Sequence, residues 1–283
     1  MMKQQTFGKF VAKSALLGMT VFFLGTNAYA GALFYDNFES GNFSYKENGF
    51  GWNGTSSGTG DNISVATDIA HSGTRSAKFT YGGGAAGNDA WSELRYILGK
   101  NMNDVYIQWY QYFPNGSDGL GPKWVHRSES PSNNKFMRLW SDDYSNFTVK
   151  TGLSFWAVGG GDSQIGPDGG SNQTGLQLLS PKDSAGMNDS RRGRWVKFQY
   201  HAKTATSANN DGVIQLWVDD VLTINNTSAA LYPSNGTGNY FRNGYIMGWS
   251  NSGFDQTSST YIDDVTISDT FIGGNPLKPP VAQ

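Results

Sequence analysis

The feature that most constrains this chain is the recurrence of short runs in which aromatic or β-branched residues alternate with polar ones. Clusters of Gly, Asn, Ser and Asp separate the runs. Alternation with period two marks strands with one buried face, and the separators are turn formers. The runs are Ser76 to Tyr81, Trp91 to Leu98, Asp104 to Phe113, Lys135 to Trp140, Gly152 to Val158, Arg194 to Lys203, Gly212 to Val218, Gly244 to Ser250 and Thr260 to Ser268. No segment shows the spacing of a long amphipathic helix. Asp211-Gly212 and Asn243-Gly244 offer left-handed turn chemistry, and Asp219-Asp220 fits a tight reversal between Leu216-Trp217-Val218 and Val221-Leu222-Thr223. An antiparallel chain of many strands without crossover helices folds most economically as a two-sheet β-sandwich or jelly roll, so the expected fold class is all-β.

The first thirty residues read as an address. Met1 to Lys13 is basic without an acid, Ser14 to Gly25 is an apolar run of about twelve residues, and Ala28-Tyr29-Ala30 has the small-x-small pattern of a cleavage site. A spanning helix needs roughly 20 apolar residues, so a signal peptide over 1–30 is expected, with no membrane span after its removal. The mature chain is then expected in a periplasm or outside the cell, as one domain over 31–272 and as a monomer. No composition change marks a boundary. Gly159 to Gly175 is expected to be a long surface loop, and 273–283, with Pro276, Pro279 and Pro280, a flexible tail.

Charge and composition exclude several classes. There are 21 Lys and Arg against 23 Asp and Glu, and Lys3, Lys9 and Lys13 all fall in the leader, so the mature part is acidic. A basic nucleic-acid binder is disfavoured. With no cysteine, thiol nucleophiles, thiolate metal sites and disulfides are absent. Charged residues at 16 % and aromatics at 14 %, with 37 glycines, suit a turn-rich β domain large enough to bury its own core.

Three segments carry a resemblance. Phe34-Tyr35-Asp36-Asn37-Phe38-Glu39-Ser40-Gly41 looks like the first strand of secreted concanavalin A-like jelly rolls that act on glycans. His71 to Lys78 is similar to their second element, and Tyr261 to Ser268 to their closing strand. The resemblance implies that fold and a carbohydrate partner. It also implies a structural calcium ion held by Glu39, a carbonyl near Gly73, and Asp264, with Asp36 or Asp263 in reserve. Calcium takes about six to eight oxygen ligands, so carboxylates and turn carbonyls are the right chemistry.

Inside the chain, Trp91-Ser92-Glu93-Leu94-Arg95 puts an aromatic plate, an acid and a guanidinium on one face of a strand. Ser92-Glu93-Leu94-Arg95 resembles the arginine-glutamate-arginine strand of the alginate lyase superfamily, and Tyr240 to Tyr245 its tyrosine-bearing strand. Two departures stand out: Trp91 replaces the family's first arginine, and Gln108 is followed by Trp109 where the family has glutamine-isoleucine-histidine. The resemblance therefore implies a relative of the jelly-roll polysaccharide lyases.

β-Elimination from a uronate chain needs a partner for the carboxylate, a base for the C5 proton and an acid for the leaving oxygen. Arg95 or Arg138 suits the first, because guanidinium meets carboxylate bidentately. His126 is the expected base, and Tyr245 or Tyr110 the expected acid. Glu93, Gln108, Tyr110 and Arg138 are expected to bind substrate. Two other functions stay open. A glycoside hydrolase needs paired carboxylates, and the Glu-x-Asp-x-x-Glu run of jelly-roll hydrolases is missing from a chain whose mature glutamates are Glu39, Glu47, Glu93 and Glu129. A non-catalytic carbohydrate-binding module would keep the same cleft, although most of the tryptophans are expected in the core.

Overall fold

The computed structural model describes residues 31–127, 133–142, 149–159, 162–171, 177–178, 183–206, 210–232, 238–251 and 253–273. The leader, the tail from 274, Glu129 and part of the Gly159 to Gly175 stretch lie outside them. Among the described residues there is no helix, and the strands form two antiparallel sheets. The first sheet runs in the order β15 (Val221–Ala229), β14 (Gly212–Val218), β13 (Trp195–Lys203), β7 (Asp104–Tyr112), β18 (Ser258–Ser268), β5 (Ser76–Tyr81) and β4 (Asn62–Ala66). β1 (Ala32–Asp36) also pairs with β18. The second runs β11 (Gln177–Leu178), β10 (Asp162–Ser171), β9 (Val149–Gly159), β8 (Asn133–Trp140), β16 (Phe241–Ile246), β6 (Ala90–Met102), β3 (Phe50–Ser57) and β2 (Lys46–Glu47). The short β12 (Asp183–Met187) pairs with β10, and β17 (Trp249–Ser250) with β6 and β8.

An all-β antiparallel sandwich is thus the architecture, and its core lies between the sheets. Trp109, Phe113 and Phe198 from one side meet Phe136 and Phe155 from the other in tilted and edge-on contacts, and Trp124 closes one end. Each of these rings removes a large apolar area from water, which drives the two sheets together. Trp52, Trp109 and Trp124 belong to this core, whereas Trp140 of β8 and Trp217 of β14 are buried outside it.

The hairpin at Asp219-Asp220 forms as its sequence dictates, with both residues in the left-handed region at φ 49° and 66°. Two turn expectations are corrected. At Asp211-Gly212 the left-handed residue is Asn210, one place earlier. Asn243-Gly244 is not a turn at all: it lies inside β16, where the glycine leaves room for the Tyr96 hydroxyl that a Cβ would strike. The run Gly244 to Ser250 is interrupted at Met247, which is left-handed at φ 53° and divides β16 from β17.

The surface loop expected over Gly159 to Gly175 is likewise corrected. Most of it is β10, paired with β9 from Asp162 opposite Gly159 to Ser171 opposite Val149. Glycines and aspartates hide the alternation of this strand, because its inward face needs only Ile165 to complete the layer formed by Leu153 and Phe155 of β9.

Candidate active site

Strand register decides which of the chemically expressive side chains meet. Tyr245 of β16 stands opposite Arg95 of β6 on one side and Arg138 of β8 on the other, and Arg138 in turn faces Gly152 of β9. Residues directly opposite one another project to the same face, so Arg95, Tyr245 and Arg138 form one row on the outer face of the second sheet. Glu93, two residues before Arg95, shares that face. The row therefore joins residues up to 150 positions apart in the chain, counted from Arg95 to Tyr245.

The row is built by charge and by missing side chains. Arg95 donates from Nε and Nη2 to Glu93 Oε2 at 3.0 and 2.8 Å. The Glu93 side chain is 3 % exposed while that of Arg95 is 38 % exposed. Burial raises the Glu93 pKa above the usual carboxylate range, and Arg95, Arg138 and Lys135 pull it back. Arg138 is buried and lies across Gly152, where a Cβ would come within 2.8 Å of its Cδ and Nη1. Its Nη1 donates to the carbonyls of Met137 and Leu153 at 2.8 and 2.6 Å, and its Nη2 to Ser154 Oγ at 2.8 Å. The Tyr245 ring lies against Gly248 in the same manner and sits 5.7 Å from Trp140. Beside the row a cavity of ≈ 200 Å³ is lined by Asn53, Arg95, Trp140, Asp142 and Asn243.

Register also shows residues that the sequence did not single out. Asn243 and Trp140 stand opposite each other, and Lys150 faces Trp140 from β9, one step along the same face. Lys150 lies just outside the run that alternation marked, which began at Gly152. Pairing alone brings it alongside.

With this geometry in hand, comparison with known proteins decides the family. The model of the polysaccharide lyase family matches residues 38–266. The chain belongs to the polysaccharide lyase family. No curated protein sequence matches it. An endo-β-1,4-glucuronan lyase from the fungus Trichoderma reesei superposes with a TM-score of 0.61 at 14 % identity, covering 85 % of this chain and 96 % of that one. An alginate lyase in complex with alginate trisaccharide gives 0.57 at 9 % identity, with 84 % and 98 % covered. The alginate lyase vAL-1 from Chlorella virus gives 0.52 at 10 % identity, with 78 % and 93 % covered. At such identities these likenesses establish a shared fold.

Three expected site residues are not in the row. Gln108 and Tyr110 lie on β7, which belongs to the first sheet, between β13 and β18. The chain changes sheets at the short connection between β6 and β7, so closeness in sequence does not become closeness in space. Gln108 is buried opposite Gln199 and Thr266, and Tyr110 stacks on His71 with ring centres 3.6 Å apart. His126 is buried beside Trp124. Its Nε2 and the Ser163 hydroxyl are 2.8 Å apart, and its Nδ1 is 3.0 Å from the Arg127 carbonyl. Ser163 shares the inward face of β10 with Ile165, so the imidazole lies on the core side of the sheet and not with Arg95. Burial pushes its pKa down to about 4, with the Arg192 charge adding to the shift.

The residues that the resemblance assigns to calcium meet on the turn from His71 to Arg75. Glu39 Oε1 accepts from the backbone N–H of Thr74 and of Arg75, both at 2.7 Å, and its carboxylate packs on Gly73 within 2.5 Å of where a Cβ would stand. Asp264, left-handed at φ 50°, accepts from Tyr35 and Ser72 hydroxyls at 2.6 and 2.7 Å and pairs with His71 Nδ1 at 2.6 Å. Asp263 accepts the backbone N–H groups of His71 and Ser72. Carboxylate oxygens are the donors a hard divalent cation takes, and Glu39, Asp263 and Asp264 each close on this turn, at different groups of it. In this structure they are instead held by N–H and O–H donors, and no group of three metal-binding side chains converges among the described residues.

Proposed function

We propose that the protein cleaves an acidic, uronate-containing polysaccharide by β-elimination on the outer face of its second sheet. The observation that carries this reading is the row of Arg95, Tyr245 and Arg138. Arg95 offers an exposed guanidinium, oriented by buried Glu93, to the substrate carboxylate, which makes the C5 proton acidic. Tyr245, between two guanidinium-bearing positions, takes the place that His126 vacates. In this reading its phenol oxygen exchanges a proton with the sugar. The deprotonated Tyr245 oxygen takes the C5 proton as the C5–H bond breaks, a C4–C5 double bond forms, the C4–O bond breaks with its electron pair going to the leaving oxygen, and Tyr245 returns the same proton to that oxygen. Arg138 keeps the electrostatic field of the row positive.

Glucuronan and alginate, named for the similar structures, are both uronate polymers, which supports an acidic substrate. The basic and apolar leader supports secretion, and the carboxylate oxygens of Glu39, Asp263 and Asp264, which all close on the His71 to Arg75 turn, are the donors a structural calcium ion would use there. Among the described residues no helix is long and apolar enough to cross a membrane. A second reading, glycan binding without turnover, draws on the burial of Arg138 and Tyr245. One experiment separates the classes. Alginate, glucuronan, pectate and glycosaminoglycans are incubated with the protein while the ultraviolet absorbance of unsaturated uronate is followed. Rising absorbance establishes elimination, new reducing ends without absorbance establish hydrolysis, and retention of polymer with neither establishes binding alone.

A further inference from the structure

We infer that the stacked indoles of Trp91 and Trp249 form a sugar-stacking subsite for the same polysaccharide chain, remote from the reacting sugar. The inference rests on the function proposed above and adds to it where a distant part of the substrate is held. Trp249 of β17 stands opposite Trp91 of β6, and β6 runs without a break from Trp91 to Arg95, which stands opposite Tyr245. The pair therefore shares the outer face with Glu93 and Arg95, four residues and about 13 Å along β6 from the guanidinium.

The geometry is that of a fixed plate. The two rings are parallel to within 3° with centres 4.4 Å apart. Trp249 Nε1 donates to Asp89 Oδ2 at 2.6 Å, which sets the rotation of the indole. Behind Trp91 a Cβ at Gly58 would come within 3.0 Å of the ring, so the backbone there backs the stack closely. Asp61 accepts from the N–H groups of Trp91 and Gly82 at 2.8 and 2.6 Å and ties the stack to the rim of a cavity of ≈ 460 Å³.

Burial separates this pair from the other tryptophans. Trp109 and Trp124 are fully buried and touch several rings, whereas Trp91 and Trp249 are half-buried and, among the described residues, touch no aromatic ring but each other. A core has no need of an indole pair held at its surface by a carboxylate. Pyranose rings present flat C–H faces that pack on such a plate while their hydroxyls stay in water, and the nearby Asp61, Asn88 and Asp89 line the rim with polar groups. Binding energy gained there is available to hold the chain in register over Arg95.

The test compares wild type with Trp249→Ala and Trp249→Leu on a polymer that the wild type cleaves and on a uronate disaccharide too short to bridge the two sites. Leucine keeps apolar bulk without the flat ring, so it reports should the alanine variant not fold. Expected is a rise in polymer KM of about tenfold, equivalent to ~1.4 kcal/mol, with a much smaller rise on the disaccharide. An unchanged polymer KM, or an equal rise on both lengths, overturns the subsite. If the wild type releases unsaturated uronate from no polymer, the proposed reaction fails on its own. Electrophoresis through gels containing the same polymers then reads the plate: a retarded wild type with freely migrating variants supports it, and equal mobilities overturn it.

Discussion

Arg95 binds Glu93 through both Nε and Nη2, so an exposed guanidinium is anchored on a carboxylate that is itself buried. Two consequences separate cleanly. Arg95→Ala is expected to lower turnover on a uronate polymer by about 10²- to 10³-fold, the ~2.7 to 4 kcal/mol typical of a lost charge stabiliser. It is also expected to cost roughly 1–3 kcal/mol of stability, because Glu93 loses its partner. The double variant with Glu93→Gln should recover the melting midpoint but not the turnover. If Arg95→Ala turns over normally, or the double variant recovers both properties, the guanidinium serves the fold and not the reaction.

Tyr245→Phe removes one oxygen and keeps the ring against Trp140 and Gly248. Loss of a positioned proton-transfer group is expected to reduce turnover by about 10²- to 10⁴-fold, with polymer binding retained. Turnover by single-wavelength absorbance and binding by gel retardation are measured on the same preparation. Full activity in the phenylalanine variant would assign proton transfer elsewhere on the face.

Much of the fold was legible because it depends on local alternation. Ser76 to Tyr81 carries its apolar side chains at every second position, Gly212 to Val218 buries Ile214, Leu216 and Val218 at alternate positions, and the Asp219-Asp220 turn between strands follows from backbone chemistry alone. β10 was hidden because its partner β9 supplies most of the apolar layer. The site divides along the same line. Glu93 and Arg95 share a face by parity within one strand, which sequence shows. Gln108 is only a short connection further on, yet it enters the other sheet, a long-range pairing that spacing does not encode. Tyr245 and Arg138 join Arg95 through pairings of the same kind, and the lyase resemblance pointed to the tyrosine strand where spacing could not. His126 was attractive because imidazole titrates near neutrality, but burial beside Trp124 removes that property.

Calcium is expected to raise the melting midpoint of the mature protein. A hundredfold excess over the dissociation constant is worth ~2.7 kcal/mol, or roughly 5–10 °C for a chain of this size. Glu39→Gln and Asp264→Asn should abolish the increment, since each removes a carboxylate from the turn. Scans in calcium and in chelator make the measurement. Coincident curves for the wild type would leave the turn closed by its hydrogen bonds alone.

His126 gives a pH dependence of defined sign. Its pKa is about 4 in the folded protein against the ordinary 6.5, because burial disfavours the imidazolium. Below pH 6.5 the unfolded chain takes up a proton that the folded protein refuses, so stability is fully present above pH 6.5 and is lost as the pH falls towards 4. The shift corresponds to about 3 kcal/mol over that window. His126→Gln cannot titrate, and its amide can still meet the Ser163 hydroxyl. Urea unfolding of both proteins at pH 7, 5.5 and 4 should show the wild type losing about that much more than the variant. Because the imidazole lies on the core side of β10, the variant should also keep its turnover at neutral pH. Parallel stability curves would show that the imidazole is not held neutral in the fold, and a collapse of turnover without a change in stability would return His126 to the reaction.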